Sequence, residues 1–307
     1  MAEPTILIHG GAGTMHPDRL TPAKRETVLA GLRRALQAGQ RELADGRPAL
    51  DAVVAAVTAL EDDPSFNAGR GAVFTSGGTM EMDAAVMDGR DCRLGAVAGI
   101  CGPRNPIHAA LAVMEHSPHV LLAGPAALEF LRTQDALFEP LEYFATEERR
   151  LALENFLASQ SPRDDADRHG TVGAVALDSH GNLAAATSTG GMTGKWPGRI
   201  GDTPIAGAGT WADQACAMSA TGHGESFIRV AAAHELSARL RHAHQSLADA
   251  AAAVLDAVGA VGGDGGFIAL DREGNAAMPF NSRGMYRGIA RGNGPALAAI
   301  YKEALTG

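Results

Sequence analysis

The chain has 307 residues, of which 46% are hydrophobic and 20% charged, and its formal net charge is −9 at pH 7. These values are typical of a globular protein, and the acidic balance without a stripe of Lys or Arg argues against nucleic acid or an anionic membrane as partner. Three cysteines without a C-x-x-C motif, no signal peptide and no long apolar run predict a cytoplasmic protein with reduced thiols.

The first predicted element is a short apolar strand at residues 5–9, followed by a glycine-rich turn. A glycine loop after a strand is one form of phosphate site, so a non-hydrolytic nucleotide-binding protein using Gly10 to Gly13 is an alternative function. Against it, the loop has neither G-x-G-x-x-G nor a Lys-Ser/Thr pair, and no helix is predicted directly after it. The simpler interpretation is a tight turn packed close to another backbone.

Helices and strands then follow one another through the first half of the chain. Thr21 and Pro22 are typical of a helix N-cap and first turn, and apolar residues continue at helical spacing to Leu43. Further helices are predicted at residues 48–60, 107–116, 125–132 and 146–158, and strands at 72–75, 80–89 and 97–100. The polar run 159–170 predicts an exposed, flexible linker.

The second half begins with two predicted strands, residues 171–177 and 183–187, joined by a D-x-x-G-N turn. The same turn recurs at residues 271–275, which predicts two sheets of related build. Helices at about 224–241 and 246–259 are expected outside them, with a final helix at 295–305. Taken alone, Thr171 at the head of a strand is an ordinary structural residue, because Thr is a good strand former.

Candidate chemical groups are small polar residues between glycines. The sequence has no H-E-x-x-H motif, no Cys/His cluster and no G-x-S-x-G elbow, which argues against a transition-metal site and an α/β-hydrolase. Arg199 and Asp202 form either a surface ion pair or a clamp for the carboxylate and ammonium of a zwitterion. Thr221 and Gly222 are either an ordinary helix N-cap region or donors to an oxyanion.

The stretch 169–178, followed by residues 187–191, resembles the cleavage-site motif of the plant-type L-asparaginases (isoaspartyl peptidases), which are threonine-type N-terminal nucleophile hydrolases. Similar signatures occur in the same order along nearly the whole chain, at residues 9–13, 66–73, 82–89, 197–202, 207–209, 221–225, 263–266 and 278–281. So many matches in one order make the resemblance specific.

The resemblance implies an α+β fold, an αββα four-layer sandwich, in a single domain of residues 1–307 that is made as a precursor. It implies self-cleavage between Gly170 and Thr171 into an α subunit, 1–170, and a β subunit, 171–307, which assemble as a dimer of cleaved αβ units. The implied catalytic residues are Thr171 as nucleophile, Thr189, Thr221, Gly222 and Asn67. The implied substrate-binding residues are Arg199, Asp202, Thr221, Gly222 and Gly224.

The resemblance also implies a structural sodium ion and no cofactor for catalysis. The ion would be held by backbone carbonyls of one loop, with ligands at Leu60, Glu61, Asp63, Phe66, Ala68 and Arg70. Because the ligands are carbonyl oxygens, the side chains at these positions matter little to the ion.

The chemistry of a freed N-terminal Thr agrees with this family. A Thr hydroxyl is a weak nucleophile that needs a base, and a free α-amine has a pKa of ~7.7–8.0, so it can accept the hydroxyl proton near neutral pH. The expected activity is hydrolysis of L-asparagine to L-aspartate and ammonia, and of β-aspartyl dipeptides, through an acyl-enzyme on Thr171. Alternatives are a glycosylasparaginase-type amidase, whose substrate carries a bulky sugar, and an inactive scaffold that never cleaves.

Overall fold

A computed structural model describes residues 3–15, 20–158 and 170–307, so the predicted linker lies outside the described residues apart from Gly170. The described residues form twelve strands, numbered here in chain order. They are β1 (Thr5–Gly13), β2 (Met82–Asp88), β3 (Arg93–Ile100), β4 (Leu121–Ala123), β5 (Val172–Leu177), β6 (Leu183–Thr189), β7 (Thr210–Ala212), β8 (Cys216–Gly222), β9 (Gly265–Asp271), β10 (Ala276–Ala277), β11 (Gly284–Arg291) and β12 (Leu297–Ala299).

Most helices begin and end where local sequence signals predict. They are α1 (Pro22–Ala44), α2 (Ala49–Glu61), α3 (Pro106–His116), α4 (Gly124–Arg132), α5 (Leu141–Phe144), α6 (Glu147–Ala158), α7 (Gly224–Val230), α8 (Ala232–Ala243) and α9 (Leu247–Ala260). The Thr21 hydroxyl caps α1 by accepting the Lys24 N–H, as the sequence predicts. None of the helices in the described segments is long and apolar enough to cross a membrane.

The strands form two sheets. The larger has eight strands in the order β12-β11-β1-β5-β6-β2-β3-β4, and the smaller has four in the order β10-β9-β8-β7. The two predicted hairpins fall one in each sheet, β5–β6 and β9–β10, which confirms the prediction of two sheets. In the larger sheet β1 lies between β5 and β11, so strands from both halves of the chain alternate.

Three apolar clusters separate the layers of this mixed α+β fold. Helices α1, α2 and α3 cover one face of the larger sheet. The other face packs on the smaller sheet through residues such as Leu7, Val175 and Ile268. Helices α8 and α9 cover the outer face of the smaller sheet. The candidate site lies at the ends of β5, β6 and β8, where the two sheets meet.

Several sequence predictions are wrong. No helix occurs at 295–305, where β12 extends the edge of the larger sheet and buries Ala298 and Ile300 instead. Residues 72–75 form no strand beyond a single bridge from Thr75 to Lys195. The strand predicted at 5–9 continues to Gly13 with an irregularity between His9 and Gly11. The helix predicted at 224–241 is interrupted at Ala231, which has a left-handed backbone.

Candidate active site

Strand register places Thr171 beside Thr189. In the antiparallel pair β5–β6, Val172 lies opposite Ser188, so Thr171 is opposite Thr189 and their side chains share one face. The Thr171 hydroxyl donates to the Thr189 hydroxyl at 3.1 Å, and Thr189 accepts the Gly191 N–H at 2.9 Å. Both threonines are almost fully buried. The sequence-predicted nucleophile and its support are therefore in direct contact.

Thr221 and Gly222 approach from the smaller sheet, at the end of β8. The Thr221 hydroxyl accepts the Ala12 N–H at 3.1 Å, which leaves its own proton to donate. Gly222 has φ +133°, and the cleft beside it is also lined by Thr171, Thr189, Arg199 and Asp202. The structure thus brings Gly222 and residues predicted from distant motifs into one cleft, whereas Thr221 is fully buried directly beside it.

Arg199 is held by an acidic neighbour that the sequence analysis did not identify. Its Nε and one terminal nitrogen donate to the two carboxylate oxygens of Glu225 at 2.9 and 2.8 Å, in the fork geometry typical of strong Arg–carboxylate pairs. The Glu225 carboxylate also lies 3.4 Å from the ring of His223. Arg199 and Asp202, in contrast, do not form the simple surface pair of the alternative interpretation, because Asp202 is buried.

Asp202 is a buried carboxylate with spare acceptor capacity. Burial raises its pKa to about 7, with a smaller opposing effect from its own backbone and from Arg199. Its Oδ2 has no hydrogen-bond partner. A Cβ built on Gly209 or Gly224 would lie 2.7 or 2.6 Å from its carboxylate oxygens. The glycines therefore leave room for the Asp202 carboxylate, and an ammonium group would satisfy it.

Asn67 lies behind the site and not in the cleft lining. Its amide donates to the Gly191 carbonyl at 2.7 Å and accepts the Val73 N–H at 3.0 Å. The backbone carbonyl of Asn67 also accepts the Gly190 N–H at 3.1 Å. Asn67 thus fixes the glycine turn whose Gly191 N–H holds Thr189.

A buried histidine, His9, contacts the backbone of Thr171. Burial lowers its pKa to about 3, so the ring is neutral. Its Nδ1 is 3.0 Å from the Thr171 carbonyl and its Nε2 is 2.9 Å from the Ser219 hydroxyl. Because a carbonyl only accepts, Nδ1 carries the proton and Ser219 donates to Nε2. No local sequence signal could reveal this contact, since Ser219 lies 210 positions away.

The glycine-rich end of β1 packs against protein atoms. A Cβ built on Gly10 would lie 2.6 Å from the Phe66 ring, and one on Gly11 would lie 2.6 Å from the Gly170 Cα. Gly11 and Gly170 have φ of +119° and +83°. The close backbone approach predicted here is confirmed, and at Gly10 and Gly11 it leaves no space for a phosphate, which argues against the nucleotide-binding alternative.

Backbone carbonyl oxygens of the loop that follows α2 lie close to its glycines. A Cβ on Gly69 would lie 2.6 Å from the Glu61 carbonyl oxygen, and one on Gly71 would lie 2.8 Å from that of Pro64 and close to that of Phe66. The Glu61 carbonyl accepts the Arg70 N–H at 2.7 Å, but a carbonyl oxygen has a second lone pair. Among the described residues, no cluster of His, Cys, Asp or Glu side chains could hold a metal ion. Backbone carbonyl oxygens are ligands for alkali cations, so the loop is chemically compatible with a sodium ion.

Comparisons with known proteins show the family to which the chain belongs. The profile of the family described as "Asparaginase" matches residues 2–299, so the chain belongs to the asparaginase family of amidohydrolases. An isoaspartyl peptidase of Salmonella typhimurium is 46% identical over 313 residues, covering 99% of this chain and 100% of its own. The isoaspartyl peptidase of Escherichia coli is 45% identical over 316 residues, covering 99% and 98%. An isoaspartyl peptidase/L-asparaginase of Bos taurus is 41% identical over 288 residues, covering 92% and 91%. The family predicted from the sequence is confirmed.

Proposed function

We propose that this protein hydrolyses L-asparagine and β-aspartyl dipeptides. The observation that carries the proposal is the buried Thr171 hydroxyl in one cleft with the Arg199 cation and the Asp202 carboxylate. These two charges suit the α-carboxylate and α-ammonium that both substrates present, because each charged group is then paired. The names of the relatives, isoaspartyl peptidase and isoaspartyl peptidase/L-asparaginase, support the same substrates.

The proposed reaction uses Thr171 as both nucleophile and base. Its α-amine, free after cleavage, accepts the hydroxyl proton as Oγ1 attacks the side-chain carbonyl carbon of the substrate. Thr221 and Gly222 donate to the resulting oxyanion, and Thr189 holds the Thr171 hydroxyl. The α-ammonium returns the proton to the leaving nitrogen, which departs as ammonia or an amino acid. Water, deprotonated by the same amine, then attacks the ester and releases L-aspartate.

The proposal includes the precursor and the subunits implied by the resemblance. The chain is a single domain of residues 1–307 with the αββα four-layer sandwich of the N-terminal nucleophile hydrolases. Cleavage between Gly170 and Thr171 gives an α subunit, 1–170, and a β subunit, 171–307, and two cleaved units form a dimer. Gly170 has a left-handed φ of +83°, and a Cβ on it would lie 2.5 Å from the Gly11 Cα, so only glycine fits directly before the proposed cleavage point.

Sodium is proposed to hold the loop after α2. Carbonyls of Leu60, Glu61, Asp63, Phe66, Ala68 and Arg70 would bind it, and the ion would neutralise their converging dipoles without taking part in the reaction. Activity should therefore persist in EDTA, whereas replacing sodium with a large organic cation should lower the melting temperature. Loss of activity in EDTA that zinc restores would contradict this role.

The proposed function is tested with a panel of substrates given to the cleaved wild-type protein and to Thr171→Ala. We expect release of L-aspartate from L-asparagine and from a β-aspartyl dipeptide by wild type only. Turnover of a glycosylated asparagine alone would indicate the glycosylasparaginase alternative. An intact chain without activity on any of the three would indicate the inactive scaffold.

A further inference from the structure

Three residues that do not line the cleft hold the loop that carries Arg199. Glu81 precedes β2, and its carbonyl accepts from the Lys195 amine at 2.6 Å. The carboxylate of the same residue accepts the Gly198 N–H at 2.7 Å. Lys195 is itself almost fully buried, and its carbonyl accepts the Ser76 N–H at 2.8 Å. The segment just before Arg199 is therefore held through the Lys195 side chain and through the backbone of Lys195 and Gly198.

Asp83, two residues after Glu81, attracts Lys195 of this loop electrostatically and lies on β2, the strand next to that of Thr189. It lies opposite Thr189 in the pair β2–β6, so the two side chains share one face of the sheet. It is fully buried, its Oδ1 accepts the Gly99 N–H at 2.8 Å, and its Oδ2 has no hydrogen-bond partner. Burial raises its pKa, and attraction to Lys195 is the largest opposing effect. A buried carboxylate and a buried ammonium thus offset each other's desolvation.

The loop needs this support because its own sequence does not fix it. Gly198 has φ +84°, so the path of the chain favours glycine there, and a Cβ built on Gly201 would lie 2.9 Å from a terminal nitrogen of Arg199 and displace the guanidinium. Glycines leave a loop many conformations in which the Arg199 guanidinium would point elsewhere. An error of about 1 Å in a binding group can cost ~100-fold in rate.

From these contacts we propose that Glu81, Asp83 and Lys195 are positioning residues, which set where Arg199 and Asp202 hold the zwitterionic head of the substrate. The inference rests on the proposed function, because it concerns that same clamp. None of the three touches the reacting atoms, so their loss weakens ground-state and transition-state binding alike. Such a loss raises KM and leaves kcat unchanged.

The first test compares Glu81→Ala with Glu81→Gln. The alanine removes the acceptor for Gly198, whereas the glutamine keeps a side-chain carbonyl oxygen at the same place. We expect KM for L-asparagine to rise about 10-fold in Glu81→Ala, with kcat and self-cleavage retained. Glu81→Gln should restore KM to within about twofold of wild type. Unchanged KM in Glu81→Ala, or an equal rise in Glu81→Gln, would overturn the inference.

A second variant covers the case in which Glu81→Ala does not fold. Asp83→Asn keeps the acceptor for Gly99 and the shape of the side chain but removes the charge that attracts Lys195. It should raise KM more than kcat falls, while the surface control Lys24→Met, whose side chain is 49% exposed, should change neither. A fall in kcat alone would overturn the positioning role. Wild type without asparaginase activity would overturn the proposed function itself, and the clamp with it.

Discussion

At the scale of single residues, Arg199 is the cation proposed to hold the substrate carboxylate. Arg199→Ala removes a charge-assisted hydrogen bond worth roughly 1.5–3 kcal/mol, so kcat/KM for L-asparagine should fall at least ~10-fold. Self-cleavage at Gly170 should continue, because the guanidinium pairs with Glu225 and not with the cleavage site. Arg41→Ala, on the exposed side of α1, is the matched control. Wild-type kinetics in Arg199→Ala would refute the assignment.

The raised pKa of Asp202 predicts that substrate binding depends on pH. Its pKa in the folded protein is about 7, so it takes up a proton as pH falls through that value and loses its attraction for an ammonium group. KM for L-asparagine should therefore rise below about pH 7, whereas protonation of the Thr171 amine lowers kcat as well. Asp202→Asn, which has no charge at any pH, should show a high KM that does not change with pH. A flat KM profile in wild type would contradict the role of Asp202.

At the scale of secondary-structure elements, Glu61 joins the end of α2 to α3 and β6. Its Oε1 accepts from the Ile107 N–H at 2.9 Å and from the Ser188 hydroxyl at 2.6 Å. Burial raises its pKa from 4.5 to about 8, so the folded chain binds a proton that the unfolded chain releases. The contribution of Glu61 to the free energy of unfolding should then fall as pH rises from about 4.5 to about 8, by up to ~1.4 kcal/mol per pH unit.

Glu61→Gln tests this dependence because it keeps an acceptor for both donors and cannot ionise. Urea unfolding of Thr171→Ala, with and without Glu61→Gln, at several pH values keeps the chain in one piece during the measurement. The stability of the protein that retains Glu61, relative to the protein that carries Glu61→Gln, should decline with rising pH. Parallel stability curves for the two proteins would show that Glu61 does not titrate in this range.

The sequence predicts an element well when neighbouring residues in the chain stabilise it, and poorly when residues distant in the chain do. The bounds of α1 are predicted within about one residue because Thr21 and Pro22 act locally. The Ala-rich segment 295–305 has helix propensity, yet pairing of β12 with β11 overrides it. The same limit applies to the site. Motifs that occur in the order typical of the family predict Thr171, Thr189 and Asp202. The contact of Lys195 with Glu81 could not be predicted, because the two residues are 114 positions apart in the chain.

At the scale of the whole molecule, the two halves of the chain are interleaved. In the larger sheet β1 pairs with β5 on one side and β11 on the other, and β2 pairs with β6. Strands that follow Thr171 therefore share the larger sheet with strands of the first half. Cutting the Gly170–Thr171 bond removes no strand pairing, so the two fragments should stay together and co-elute.

The order of events follows from this arrangement. Before the cut the Thr171 nitrogen is part of a peptide bond and cannot act as a base, so the intact chain should not turn over asparagine. Cleavage itself needs the Thr171 hydroxyl to attack the Gly170 carbonyl in an N-to-O acyl shift, after which water hydrolyses the ester. Thr171→Ala should therefore remain a single chain of 31.6 kDa without activity.

A time course on freshly purified precursor tests that order. The amount of the 171–307 fragment and the asparaginase rate should rise in parallel, and Thr171→Ser, which retains a hydroxyl, should cleave with reduced turnover. Thr27→Ala is a matched loss of a Thr hydroxyl at an exposed position of α1, and it should cleave and react as wild type does. Full activity while the chain is still intact would exclude an N-terminal nucleophile, because no free amine would then exist at Thr171.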